Sequence, residues 1–170
     1  MSEQVNDELE KHDEVVAVAA RRADREFRVD LAPTVVEGSS PALARAILNV
    51  VDNALKWSPP GTPVEVTVQQ GVVSVRDHGP GIAADDLPHV FDRFYRAAAA
   101  RTLPGSGLGL AIVRQIAEAH GGTVTAKRAD GGGSLFTLRI PLLPTPADLS
   151  VGTTAAQRRR APTASPRPAD

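Results

Sequence analysis

A two-layer α+β sandwich, with helices on one face of a mixed, mostly antiparallel sheet, is the fold class this sequence predicts. Helical periodicities and hairpin signals both occur along the chain, but they do not follow the strict strand–helix alternation that builds a parallel sheet. The 170 residues suit one domain plus tails. Apolar residues make up 42% of the chain and aromatics only 4%, so a core must come mostly from Val, Leu, Ile and Ala.

Composition also excludes partners and chemistries. A formal net charge of −1 gives no reason to expect nucleic acid or an anionic membrane surface. Cysteine is absent, which rules out disulfides and thiolate metal sites. No apolar run approaches membrane-spanning length, and the polar start Met1-Ser2-Glu3-Gln4-Val5-Asn6-Asp7-Glu8 is no signal peptide. The chain is expected to be soluble and cytoplasmic, without membrane contact of its own.

Each element has a local reason. Residues 1–11 read as a flexible leader. From His12 to about Arg25, Val15, Val16, Ala19 and Ala20 share one side of a helical pattern. Phe27–Leu31 alternates as a strand does, and Thr34–Glu37 is a second short strand candidate ended by Gly38. Ser39 or Ser40 can cap the next helix, with Pro41 at its first position. That helix runs to about Trp57 and stops before Pro59-Pro60-Gly61. Leu43, Ile47, Val50, Val51 and Ala54 form its apolar face, and Asn49, Asn53 and Lys56 form a separate polar stripe. Val64–Val68 and Val72–Arg76 are joined by Gln69-Gln70-Gly71, a hairpin signal. A short helix is expected near Ala84–Val90, and Ala97–Pro104 reads as a flexible lid. A glycine-rich turn, Gly105-Ser106-Gly107-Leu108-Gly109-Leu110, then opens a helix that Gly121-Gly122 stops. Thr123–Lys127 and Ser134–Ile140 form the last strand pair, around Gly131-Gly132-Gly133. From Pro144 the chain is rich in Pro, Ala, Thr and Arg, and 144–170 reads as a disordered tail. The folded unit is thus placed at 12–143.

Several features point beyond packing. The glycine turn frees the backbone to bend close to a ligand, and the helix behind it offers unpaired N–H groups and a positive dipole end. Those properties suit an anion, most often phosphate. No Lys follows the glycines as a P-loop requires, and Arg96–Pro104 does not read as the strand that precedes a dinucleotide fingerprint. Two asparagines one turn apart are unusual on a helix this apolar. Asp77-His78-Gly79-Pro80-Gly81-Ile82 follows a strand, and Phe91-Asp92-Arg93-Phe94-Tyr95-Arg96 follows in turn.

In this order the four motifs closely resemble the ATP-binding catalytic domain of sensor histidine kinases. That domain belongs to the superfamily shared with DNA gyrase and the heat-shock chaperone ATPases, whose fold is of the Bergerat type. The resemblance covers about residues 12–142. It implies that Asn49–Ser58 is the asparagine box, in which Asn53 binds Mg²⁺ and Asn49 lies near the metal and phosphates as a second candidate ligand. A neutral carboxamide oxygen suits a cation whose nucleotide already brings the negative charge. Hydrolytic relatives carry a Glu general base at the place of Asn49, so its absence favours phosphoryl transfer over hydrolysis. Lys56 is expected at a phosphate and Trp57 at the border of the nucleotide pocket.

The resemblance further implies that Asp77 accepts a hydrogen bond from the adenine amino group. Gly79, Gly81 and Ile82 then lie along the base. In the phenylalanine box, Phe91 and Phe94 are expected to anchor the lid to the core. Tyr95 is expected to contact nucleotide or partner, and Arg96 to stabilise charge on the transferring phosphoryl group. Gly105, Ser106, Gly107, Leu108, Gly109 and Leu110 become the phosphate cradle.

The expected function is donation of the γ-phosphoryl group of Mg·ATP to a histidine on a separate dimerising helical hairpin, in two-component signalling with a response regulator downstream. The segment before Phe27 is too short for that hairpin, so a monomer is expected. His12-Asp13 matches the start of an acceptor box, but position 17 is Ala rather than Pro, so His12 reads as an exposed helix histidine. Two alternatives share the site: a stand-alone serine kinase of the anti-sigma-factor type, and a non-catalytic nucleotide-binding module. The phenylalanine box speaks for the sensor-kinase branch.

Overall fold

A computed structural model of the chain describes residues 26–97 and 105–143. The leader 1–11, the helix expected over 12–25, lid residues 98–104 and the tail 144–170 lie outside them. Among the described residues, the sheet has five strands: β1 (Phe27–Leu31), β2 (Val64–Gln69), β3 (Val72–Arg76), β4 (Thr123–Arg128) and β5 (Ser134–Arg139). Their spatial order is β1-β2-β3-β5-β4. Only β1 and β2 run parallel; the other pairs are antiparallel, so the sheet is mixed and mostly antiparallel as expected.

The register explains the core. Val66 pairs with Val75, and Val75 pairs with Phe136. Side chains of directly paired residues share a face, so one row of apolar groups crosses the middle of the sheet. Helices α1 (Ser40–Trp57) and α2 (Gly109–Ala119) cover that face. α1 buries Leu43, Ala46, Ile47, Val50, Val51 and Ala54, the three-and-four spacing that an amphipathic helix requires. Ala46, Ala54 and Ala117 are fully buried, and their small side chains let the helices and sheet approach closely.

The helix ends differ in how they are satisfied. α2 closes with a Schellman motif: Gly121 N–H donates to the Glu118 carbonyl and Gly122 N–H to that of Ala117, at 3.1 and 2.8 Å. Gly121 has φ +66°, which suits glycine at that position. Ser39 is the N-cap of α1 with Pro41 in the first turn, but its side chain makes no capping bond. Instead, its backbone N–H donates to His120 Nε2 at 3.1 Å, while His120 Nδ1 donates to the Ile116 carbonyl at 2.7 Å. The start of α1 is thereby tied to the end of α2.

Three expectations fail. Thr34–Glu37 is not a strand; Val36 makes only an isolated bridge with Leu142, because a lone edge residue finds no continuing partner. The helix expected near Ala84–Val90 shrinks to a 3₁₀ turn at Leu87–His89, where Pro88 withholds a backbone donor. Phe94 does not anchor anything to the core: it is 70% exposed, and only Phe91 packs inward, edge-on to Phe136 at 6.3 Å.

Candidate functional site

Strand parity positions the most deeply buried charge. Val73 and Val75 face the helices, so the next odd position, Asp77, points the same way just past the strand end. Asp77 N–H donates to the Ser134 carbonyl at 3.0 Å, which extends the β3–β5 ladder by one step. The carboxylate is 1% exposed. Its Oδ1 accepts from the backbone N–H groups of Gly79 and Ser134, at 2.9 and 3.0 Å. Its Oδ2 is buried without a hydrogen-bond partner among the described residues. Burying an acceptor with nothing to accept is unfavourable unless a ligand supplies the donor.

A cavity of about 400 Å³ opens beside it, within the range of small-molecule sites. α1 supplies Asn49, Asp52, Asn53, Lys56 and Trp57 to one wall. The loop after β3 supplies Pro80, Gly81, Ile82, Ala83, Asp86 and Val90. Tyr95, Arg96 and Ala97 also line it, as do Gly105, Ser106, Gly107, Gly109 and Leu110 of the glycine turn. Ser134 and Phe136 form the floor. The polar stripe on α1 faces the glycine turn: a side chain added at Gly109 would lie 3.8 Å from Asn49 Oδ1, and one added at Gly105 would lie 3.2 Å from Lys56 Nζ.

The electrostatics favour an anion. Desolvation, and then the nearby Arg96 guanidinium, push the Lys56 ammonium below the usual lysine range. Two cations thus converge where the glycine backbone runs. Lys56 Nζ also lies 5.9 Å from the Trp57 ring centroid. The Asn49 carboxamide nitrogen is buried without a partner among the described residues, a donor awaiting an acceptor as Asp77 Oδ2 awaits a donor. The Tyr95 hydroxyl donates to Asp86 Oδ1 at 2.6 Å, which ties the tyrosine segment to the loop after β3.

Most of the sequence-predicted residues meet at this cavity. Asp77, Gly79 and Leu108 do not line it. Asp77 is bonded through Oδ1 to Ser134, which does line the cavity. Gly79 faces the end of α1, where an added side chain would strike the Trp57 carbonyl oxygen at 2.6 Å. Leu108 is the N-cap of α2 and gives its carbonyl to Ile112 N–H at 2.9 Å. Sequence reasoning missed Asp52, Asp86, Ser134 and Phe136. Asp52 was within reach, since it stands three residues after Asn49 on the same side of α1. Phe136 was legible only from strand register.

Residues 38–144 match the family of histidine kinase-, DNA gyrase B- and HSP90-like ATPases. The chain belongs to that ATPase family. It is 42% identical over 155 residues to a signal transduction histidine-protein kinase/phosphatase MprB from Mycobacterium avium, covering 86% of this chain and 28% of that protein. The chain therefore spans little more than a quarter of that relative's length. A solved mycobacterial sensor histidine kinase MprB superposes with a TM-score of 0.72 at 42% identity, covering 80% of this chain and 96% of the other. Full-length ShkA, solved in complex with AMPPNP, matches with a TM-score of 0.62 at 28% identity, over 79% of this chain and 29% of that one. Within the ATPase family, the chain is a catalytic ATP-binding domain of the histidine-kinase type, and the serine-kinase and non-catalytic alternatives are not favoured.

Proposed function

We propose that this domain binds Mg·ATP and donates the γ-phosphoryl group to a histidine on a separate dimerising helical hairpin, with a response regulator as the onward acceptor. The reading places the domain, as a monomeric unit, on the cytoplasmic side of a two-component system; none of the described helices is long and apolar enough to cross a membrane. The observation that carries it is the convergence on one cavity of the Asn49–Asn53–Lys56 stripe, the glycine turn and Arg96.

The donor set fits Mg·ATP. No cluster of three or more His, Asp or Glu gathers for a metal among the described residues. Asn53, with Asn49 second, would offer carboxamide groups to a hard cation that takes its other ligands from phosphate and water. Bound Mg·ATP would supply the phosphoryl group for transfer and a cation to offset the charge of the phosphates. Asp77 Oδ2 would accept from the adenine amino group, which guanine lacks at that place. Gly81 and Ile82 would border the base, and Trp57 its edge. Lys56 would pair with a phosphate as a point charge. Ser106 and the backbone N–H groups of Gly105–Leu110 would cradle the phosphates, with the N-terminal dipole of α2 behind them. Arg96 would hold charge that grows on the transferring oxygens. Tyr95 would act by position, since its hydroxyl already bonds Asp86.

The test uses Trp57, the only tryptophan of the chain. Titration with Mg·ATP should give a saturable fluorescence change in wild type and none in Asn53→Ala, with calorimetry as the check. A helical-hairpin acceptor domain added with γ-labelled ATP should then carry acid-labile, base-stable label. Nucleotide binding followed by acid-stable serine label would overturn the histidine reading.

A further inference from the structure

Two carboxylates line a cavity that otherwise suits an anion. Asp86 is engaged, since its Oδ1 accepts from the Tyr95 hydroxyl. Asp52 is exposed and makes no hydrogen bond or ion pair among the described residues. Asn49, Asp52, Asn53 and Lys56 repeat at helical spacing, so all four lie along one side of α1 and line the cavity together. Lys56 stands four residues after Asp52, the spacing at which an acid and a lysine can pair on a helix. That pair does not form. Lys56 Nζ instead lies 3.2 Å from where a side chain on Gly105 would begin, and 5.9 Å from the Trp57 ring centroid. The cation is thus committed to the glycine turn, and the anion one helical turn before it is left bare.

Such a carboxylate repels what the rest of the cavity attracts. Lys56, Arg96 and the start of α2 favour negative charge whether or not a metal accompanies it. Fully ionised ATP meets Asp52 with all of its charge, whereas a bound divalent cation offsets half of it. Discrimination between two ligands can be built from repulsion of the wrong one as well as from attraction of the right one. We propose that Asp52 makes the cavity select metal-bound over metal-free nucleotide, by like-charge repulsion of a polyphosphate that arrives without its cation. This rests on the proposed function. Metal-free ATP would fill the site without the cation that phosphoryl transfer uses, so its exclusion keeps the cavity open to productive nucleotide.

The experiment measures the affinity of the full chain for ATP by calorimetry at low ionic strength, once with excess Mg²⁺ and once with EDTA in place of the metal. Asp52→Asn should bind metal-free ATP about threefold or more tighter than wild type, with Mg·ATP affinity within about twofold, so that the preference for the metal complex shrinks. Asp52→Glu keeps the charge and should keep the preference. Salt at about 0.5 M should narrow the gap between wild type and Asp52→Asn, because exposed charges are screened. Asp30→Asn removes the same charge from β1, away from the cavity lining, and should leave the preference as it is. Unchanged metal-free affinity in Asp52→Asn overturns the proposal. So does an equal gain in Asp30→Asn, which would make the effect one of net charge. Loss of Mg·ATP affinity alone also overturns it and assigns Asp52 to holding the metal. Wild type that binds neither form of ATP counts against the proposed function itself.

Discussion

The two oxygens of Asp77 have unequal lives. Oδ1 is held by the Gly79 and Ser134 backbone, and Oδ2 by none of the described residues. In Asp77→Asn one oxygen can still accept from both backbone donors, so the fold should survive, while the other position changes from acceptor to donor. ATP affinity should fall about tenfold to a hundredfold, equivalent to about 1.5–3 kcal/mol for a hydrogen bond to a charged group, and preference for ATP over GTP should shrink. Competition calorimetry with both nucleotides checks this. Lys56 makes a pH prediction. Its folded pKa is lowered, so the unfolded chain holds that proton more tightly. The ligand-free domain should therefore gain stability as pH rises through the lowered value towards the usual lysine value. Bound polyphosphate acts in the opposite sense and draws the proton back. ATP binding in alkaline solution should take up protons, seen as a dependence of the binding heat on the buffer's ionisation enthalpy. Lys56→Met should abolish that uptake and weaken binding by about tenfold or more.

Among the elements, the glycine turn does two jobs with one residue. Gly107 faces the cavity, and its α-carbon also lies against the Phe94–Tyr95 backbone. Gly107→Ala should lose about 2 kcal/mol or more in urea denaturation without nucleotide, because a left-handed φ and a close contact are both penalised. A residue that served phosphate alone would leave the ligand-free stability almost unmoved. The same turn shows what the sequence can and cannot reveal. Periodicity placed α1 with its apolar face and polar stripe, and strand patterning placed all five strands of the sheet, because those patterns follow from 3.6- and 2-residue repeats. The fate of Phe94 was hidden, since the chemistry of its side chain says nothing about a backbone hydrogen bond to Gly107. Thr34–Glu37 misled for a related reason: its strand propensity is real, but pairing depends on which neighbour the topology provides. Ser134 and Phe136 reached the cavity through register with β3, which no local pattern encodes.

At the scale of the whole molecule, site and core share a wall. Phe136 is 2% exposed, belongs to the central cluster and also lines the cavity. Phe136→Ala should cost about 3–5 kcal/mol in equilibrium unfolding, a large part of the 5–15 kcal/mol typical of a domain, with ATP affinity lost as the floor collapses. The order of the strands carries one more consequence. β5 comes last of the five along the chain but lies inside the sheet, between β3 and β4, and its Ser134 meets Asp77 from 57 residues away. On the ribosome, β3 emerges well before the strand that will zip onto it, and its open edge is a template for wrong pairing in the interval. A nascent chain halted before Ser134 should remain protease-sensitive and bind no nucleotide, while one extended past Leu143 and clear of the exit tunnel should acquire both properties together. Synthesis would thus complete the core and arm the enzyme in a single late event.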